Sequence, residues 1–222
     1  MTLSIHELKQ FSLLNVFTDE ELMEIRRITR FHDVKKDEIL FLEGESTNAL
    51  YFVLDGWFKA EKVSREGRQQ TLRFIGPGEI INELSVFANR MNSVSVIAME
   101  RCQVFSISQS DVEEILVTSP LFSRAVILSL THRIEHLLNH IENLSLYPVE
   151  VRLARLLLED ADDGVMIRQS WKTQSEIAGQ LGTVMDVVNR HLQNMAKRGY
   201  IEINRDEIII LNHKGLGKIA KG

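Results

Sequence analysis

A single cysteine, Cys102, stands in a chain of 222 residues. That scarcity rules out an intrachain disulfide and any four-cysteine iron–sulfur or zinc site. A lone thiol of this kind reads as a small buried hydrophobe. Proline is nearly as scarce. The three present are Pro77 in a glycine-rich turn, Pro120 at the end of a short helix, and Pro148 just past a long one. Each is where a chain changes direction, because proline cannot continue a helical hydrogen-bond ladder. No run of 18 apolar residues occurs and the N-terminus lacks a signal-peptide pattern, so a cytoplasmic protein with no membrane partner is expected. A glycine-rich phosphate loop, a nucleophile elbow and an HExxH pair are also missing, so the expectation is not an enzyme.

Positive charge is short as well, with a formal net of −5. The deficit is uneven. Residues 1–146 hold 15 basic against 21 acidic side chains, whereas residues 147–222 hold 11 against 10. The acidity is therefore confined to the N-terminal two-thirds. If the C-terminal part meets a polyanion, it must do so through a local cluster presented in two copies. A hydrophobic content of 44% is that of an ordinary globular protein with a real core.

What the chain does have is a sequence of distinct textures. Residues 1–31 read as helical, with Leu8, Phe11, Leu13 and Leu14 forming an apolar patch and Thr18-x-x-Glu21 capping a helix. From His32 to about Ile107, short apolar or alternating runs follow one another at 39–42, 49–54, 71–75 and 94–98. Glu43-Gly44-Glu45, Asp55-Gly56, Glu66-Gly67 and Gly76-Pro77-Gly78-Glu79 punctuate them. Many short strands at this spacing predict a closed or double-layered β structure such as a jelly roll. Ser110-x-x-Glu113 then predicts a short capped helix ending near Ser119-Pro120.

A long helix is predicted from about Leu121 to Leu146. Along it Ile127, Leu130, Ile134, Leu137, Ile141 and Leu144 recur at alternating spacings of three and four. That is a coiled-coil seam, read as the interface of a parallel homodimer rather than a stripe buried on its own domain. His132, His136 and His140 recur on the same helix, but beside or away from the seam, so they read as surface histidines and no metal site is assigned. His6 and His32 are lone candidates of less weight.

Past Pro148, a helix is predicted from Arg152 to Leu158, and then a two-helix unit. Thr173 and Glu176 cap its first helix, Ala178 is small enough for close crossing, and Gly182 permits a sharp turn. Its second helix places Val184, Val188, Leu192 and Met195 on one side. This is a helix-turn-helix pattern, whose second helix can enter a DNA major groove. The runs 200–203 and 207–211 flank Asn204-Arg205-Asp206 as a hairpin, making the unit winged.

In order and in detail the chain resembles the CRP/FNR family of bacterial transcription regulators, named for the cyclic-AMP receptor protein. The glycines through Gly76-Pro77-Gly78-Glu79, Asn143-Leu144 before the hinge, and the C-terminal winged helix carry the resemblance over nearly the whole length. It implies an α+β fold. An effector-sensing cyclic-nucleotide-binding-type β-roll would span 1–120, a dimerisation helix 121–147, and a winged helix-turn-helix domain 148–222. It further implies a homodimer on double-stranded DNA, RNA polymerase as a partner, and a small-molecule effector that repositions the reading heads. A nucleotide-binding regulatory module acting through protein partners is the alternative.

The resemblance also locates the departures. The family's phosphate cassette has Gly-Glu-Leu and then Arg-Ser or Arg-Thr; here these read Asn82-Glu83-Leu84 and Asn92-Ser93. Glu83 can still accept a ribose hydroxyl and Ser93 can touch an oxygen. Asn92 removes the guanidinium that a buried phosphate needs, and Arg90 is expected in a loop. The adenine-contacting hydroxyl pair aligns with Leu137-Leu138. Glu83, Leu84, Asn92, Ser93, Leu137 and Leu138 are thus the expected effector pocket, with cyclic AMP disfavoured. Haem is the first candidate, suggested by a likeness of 143–146 to the nitric-oxide-responsive branch and implying nitric oxide or carbon monoxide sensing. A self-filled pocket is the second. For DNA, Arg190 matches the family arginine and suits guanine, Asn189 adenine and Asp186 cytosine. Met185 replaces an arginine of the cyclic-AMP branch. Thr173, Gln174 and Thr183, at helix starts, suit phosphates.

Overall fold

The computed structural model describes residues 3–67, 69–167, 173–205 and 207–222. Contacts divide the chain into two compact units, Met1–Glu135 and His136–Gly222, and the division falls inside the longest helix.

The first unit opens with two short helices, α1 (Ile5–Lys9) and α2 (Asp19–Ile28). Each starts at a full capping box, Ser4 with Glu7 and Thr18 with Glu21, so two orphan amides at each start are satisfied locally. Residues 10–17 run in turns between them and Arg30 already begins a strand, so the helical texture read over 1–31 resolves into two separate helices. Leu8, Phe11, Leu13 and Leu14 are fully buried.

Eight strands follow: β1 (Arg30–Val34), β2 (Ile39–Phe41), β3 (Ala49–Asp55), β4 (Phe58–Val63), β5 (Gln69–Ile75), β6 (Ile80–Ile81), β7 (Ser95–Ala98) and β8 (Cys102–Ser108). They form two antiparallel sheets ordered β1-β8-β3-β6 and β2-β7-β4-β5, the expected roll. Side-chain alternation splits β3 and β8 between two cores. Tyr51, Val53, Cys102 and Val104 meet residues of the second sheet, whereas Leu50, Phe52, Phe105 and Ile107 meet the helices. Phe52 lies opposite Phe105 with the rings stacked at 4.7 Å, and Phe11 abuts both edge-on at 5.2 and 5.3 Å.

Cys102 is buried, its thiol donating to the Trp57 and Glu100 carbonyls at 3.3 Å, and burial pushes its pKa up to about 11. Gly56 makes that fit possible: at φ +81 it needs the left-handed region, and a Cβ there would meet Sγ at 2.7 Å.

A helix not expected from the sequence, α3 (Glu83–Ala88), follows β6. The next, α4 (Gln109–Thr118), is capped by Ser108, whose hydroxyl accepts from the Asp111 amide. The cap read at Ser110 and Glu113 is therefore corrected by two residues. Pro120 takes the first position of α5 (Pro120–Leu146), where a missing amide hydrogen costs nothing.

The second unit holds the end of α5, then α6 (Val149–Asp160), β9 (Val165–Ile167), α7 (Gln174–Gln180), α8 (Met185–Lys197), β10 (Ile201–Ile203), β11 (Glu207–Ile210) and α9 (His213–Lys221). The hairpin is as expected, except that Asp206 at its tip lies outside the described residues. Two elements escaped the sequence reading. One is β9, which makes the wing sheet three-stranded in the order β10-β11-β9, and the other is α9. Among the described residues no single helix is long and apolar enough to cross a membrane.

Candidate functional site

The helix-turn-helix is built by local chemistry. The Thr173 hydroxyl accepts from the Glu176 amide and starts α7. At its far end Gly182 adopts φ +62, the Gly182 amide donates to the Gly179 carbonyl, and the Thr183 amide donates to the Ala178 carbonyl. That double bond is a Schellman motif, which ends the helix and redirects the chain at one residue. Ile177, Ala178 and Leu181 are buried against Val188, Leu192 and Met195 of α8. Val184, expected on that apolar side, is corrected: it is the N-cap of α8 and is exposed.

With one side of α8 buried, the other presents the expected reading residues. Met185, Asp186 and Arg190 are exposed, Asn189 is half-buried, and Asp186 and Arg190 share a face four residues apart. Arg190 makes no hydrogen bond or ion pair within the described residues. Thr173 is exposed and spends its hydroxyl on the cap, while Gln174 and Thr183 are half-buried. Arg198 is engaged instead: it pairs with Glu150 at 3.1 Å, bonds the Tyr200 hydroxyl and lies over the Tyr200 ring at 4.7 Å.

Two arginines of α6 went unnoticed in the sequence. Arg152 donates to the Leu181 carbonyl at the helix-turn-helix bend, and Arg155 ties Asn143 of α5 to Ala220 of α9. His140 is half-buried near Arg152 and His136. Its Nε2 has no hydrogen-bond partner among the described residues, and burial first, then those two neighbours, lowers its pKa. His132 and His136 are exposed, and among the described residues no group of His, Cys, Asp or Glu converges as a metal site.

On α5 the seam residues Ile127, Ile134, Leu137, Ile141 and Leu144 are all exposed, Ile127 by 64% and Ile134 and Ile141 by 58%. Leu130 differs, being half-buried against the helical core of the first unit. Leu128, Leu138 and Leu146 widen the exposed apolar surface beyond a two-position stripe.

In the roll, Asn82 stands at φ +80, the left-handed region where asparagine is the best-tolerated residue after glycine. That is a physical reason for Asn82 in place of the family glycine. Its side chain donates to the Thr47 and Ala49 carbonyls at 2.9 and 3.0 Å. Asn92 is buried and donates to the Leu42 carbonyl at 3.1 Å and to Thr47 Oγ1 at 2.9 Å, with its backbone bonded to Gly44 and Glu45. Both amides thus fasten the 42–49 segment to the roll. Leu84 and Ser93 are exposed, and Arg90 is in a loop, as expected. Leu137 and Leu138 belong to the second unit and are exposed there.

The feature the sequence reading missed is Arg73, at the inward phase of β5 between Thr71 and Ile75. Its Nη2 donates to Glu79 Oε1 at 2.9 Å, Glu79 Oε2 accepts the Gly76 amide at 2.7 Å, and Glu83 lies within electrostatic reach of both. Burial pushes the Glu83 carboxyl above the usual carboxylate range, with Arg73 opposing that shift. A charged residue in the buried phase of an alternating strand was the available signal.

A β-roll holding buried charge, a long helix and a winged helix-turn-helix with an open basic reader define a two-part DNA-binding regulator. Residues 31–119 match the cyclic nucleotide-binding domain and residues 151–219 the Crp-like helix-turn-helix domain. The chain belongs to the CRP/FNR family of transcription regulators. It is 26% identical to the CRP-like cAMP-activated global transcriptional regulator of Mycobacterium tuberculosis, over 85% of this chain and 87% of the relative. It is 27% identical to the anaerobic regulatory protein of Bacillus subtilis, over 87% of this chain and 84% of that one. A CooA mutant from Carboxydothermus hydrogenoformans shares the fold, with a TM-score of 0.78 at 23% identity over 94% and 95% of the two chains. FixK2 from Bradyrhizobium japonicum does so with a TM-score of 0.76 at 21% identity, over 86% and 97%.

Proposed function

We propose that this regulator works as a cytoplasmic homodimer, paired through the α5 seam, that reads a palindromic DNA site with Arg190, Asn189 and Asp186. The observation that carries the reading is the exposed aliphatic face of α5 on the same chain as an unengaged Arg190. Exposed aliphatic area of this kind is costly in water, and burying it against a twin helix offsets the entropy lost on association. Two reading heads related by a twofold axis match half-sites roughly 34 Å apart. RNA polymerase is the expected partner on the DNA.

The effector in this proposal is not cyclic AMP, although the mycobacterial relative is named for activation by it. Asn92 is neutral and both its amide hydrogens are spent on Leu42 and Thr47, so it offers a cyclic phosphate neither charge nor a free donor. Haem gains no support from the cluster around Arg73, whose side chains are basic and acidic. Selection of bound fragments from a random DNA pool, together with sedimentation equilibrium of the free protein, tests the reading. A monomer, or selected sites without twofold symmetry, would sink it.

A further inference from the structure

Arg73 is only 8% exposed, and its Nε is buried with no hydrogen-bond partner among the described residues. A stranded guanidinium donor of this kind costs roughly 1–3 kcal/mol, so it calls for an acceptor. Glu79, the carboxylate partner of Arg73 among the described residues, grips only Nη2, and the Glu79 side chain is 45% exposed, held from the rim by the Gly76 amide. Nη2 also reaches toward the Ile80 carbonyl, at a marginal 3.5 Å. The geometry is that of a guanidinium fork with Nη2 engaged by a carboxylate at the edge and Nε buried without a partner among the described residues. A planar fork bonds a carboxylate or phosphate through two parallel donors, which a single rim carboxylate does not provide.

We infer that Arg73 is the anchoring cation for a small organic anion, a carboxylate or an open phosphate monoester and not a cyclic diester, that enters the roll and completes the fork by competing with Glu79. This rests on the reading of the roll as the effector domain and supplies its ligand class. Glu83, half-buried and within electrostatic reach of the fork, is shifted by desolvation toward its protonated form, which lessens its repulsion of an incoming anion. Arg73 has its own strand for support: Thr71 and Ile75 flank it in the same inward phase and are buried. Ala60 faces it on β4. Arg73 is therefore held by the sheet and does not depend on Glu79 for its position.

The test uses the full-length chain with inorganic phosphate and acetate as probes, against chloride at matched ionic strength, read by calorimetric melting. Expected is a saturable rise in melting temperature with phosphate or acetate at millimolar concentration, lost in Arg73→Gln. The anion acting at the lower concentration assigns the ester or the carboxylate class. Glu79→Gln frees the competing tine and tightens the midpoint by about tenfold. A wild-type chain that melts identically in all three salts overturns the inference, as does a phosphate or acetate effect that survives Arg73→Gln. Should Arg73→Gln fail to fold, Glu79→Gln decides, since an unchanged or weaker midpoint means a purely structural ion pair. Anion binding with no DNA recognition would fail the functional reading alone.

Discussion

Arg155 donates through Nη1 to Asn143 Oδ1 at 2.6 Å, which joins the first turn past the middle of α6 to the end of α5. The same guanidinium donates through Nε to the Ala220 carbonyl at 2.7 Å and lies 3.7 Å from the centre of the Tyr147 ring. Three helices and the bend at 147–148 thus share one cation. Replacing Arg155 with methionine keeps the stem and strands two acceptors, at a cost of roughly 1–3 kcal/mol. Denaturant unfolding of the second unit should show it. A double-mutant cycle with Asn143→Ala should return a coupling of roughly 0.5–3 kcal/mol, and additive losses would deny the clamp.

The α5 seam makes a second prediction. Ile134→Lys with Ile141→Lys places like charges face to face in any parallel pairing, and sedimentation should show a monomer. Leu130 is a poor test residue because it packs on the helical core of its own unit, so its replacement would destabilise that unit as well. An unchanged dimer in the double lysine variant would move the interface elsewhere.

Cyclic AMP should fail to bind at micromolar concentration in titration calorimetry, and the obvious repair should also fail. Asn92→Arg restores a cation on paper. It also removes the two side-chain bonds to Leu42 and Thr47, and one of the two tethers by which the roll holds the 42–49 segment. The expected outcome is a loss of roughly 1–3 kcal/mol in stability without nucleotide affinity. Tight binding by either protein would reject this account of Asn92.

How much of this was legible depended on the range over which the physics acts. The caps at Thr18 and Thr173, the turn at Gly182 and the period of α5 are set by neighbours within a few residues, and a sequence displays them directly. The strand β9 was hidden because three residues carry no period, and its existence depends on pairing with β11 some forty positions later. The cap of α4 slipped because two serines two residues apart both suit it, and the β8 register chose Ser108. Asn92 shows the deepest limit. Its identity revealed that a charge was missing, but the bonds to Leu42 and Thr47 that occupy it join residues about fifty positions apart.

Acidity should act on the two units in opposite senses. Burial raises the Glu83 carboxyl, so its favourable contribution is complete below the ordinary value of 4.5 and is lost as pH rises through the raised one. Glu83→Gln should therefore gain stability over the wild type as pH climbs toward neutrality. Burial lowers the His140 imidazole, so its contribution is present above 6.5 and is lost as pH falls through the lowered value. His140→Gln should flatten the acidic limb of the second unit's melting curve. Calorimetry across that range on both variants checks both signs, and parallel curves would refute them.

Three basic residues near the reading helix should behave differently from one another, which makes them a joint test of how the helix docks. Arg190 is exposed and unengaged among the described residues, and in the proposed reading its guanidinium bonds a guanine O6 and N7 together. Arg190→Ala should cost roughly 1–3 kcal/mol on the specific site, and relax selection at one base pair in each half-site. Lys197 is exposed at the end of α8, where the proposed docking would set it against backbone phosphate and not base edges. Lys197→Ala should weaken specific and random DNA alike and reduce the salt dependence by about one counterion. Arg198 already spends its guanidinium on Glu150 and Tyr200, so Arg198→Ala should lower folding stability and leave the salt slope nearly unchanged. Anisotropy titrations of the three variants on specific and scrambled duplexes at several salt concentrations separate these patterns. Equal losses on both duplexes for Arg190→Ala would remove it from base reading, and a full unit of salt slope lost with Arg198 would mean that its ion pair opens on DNA.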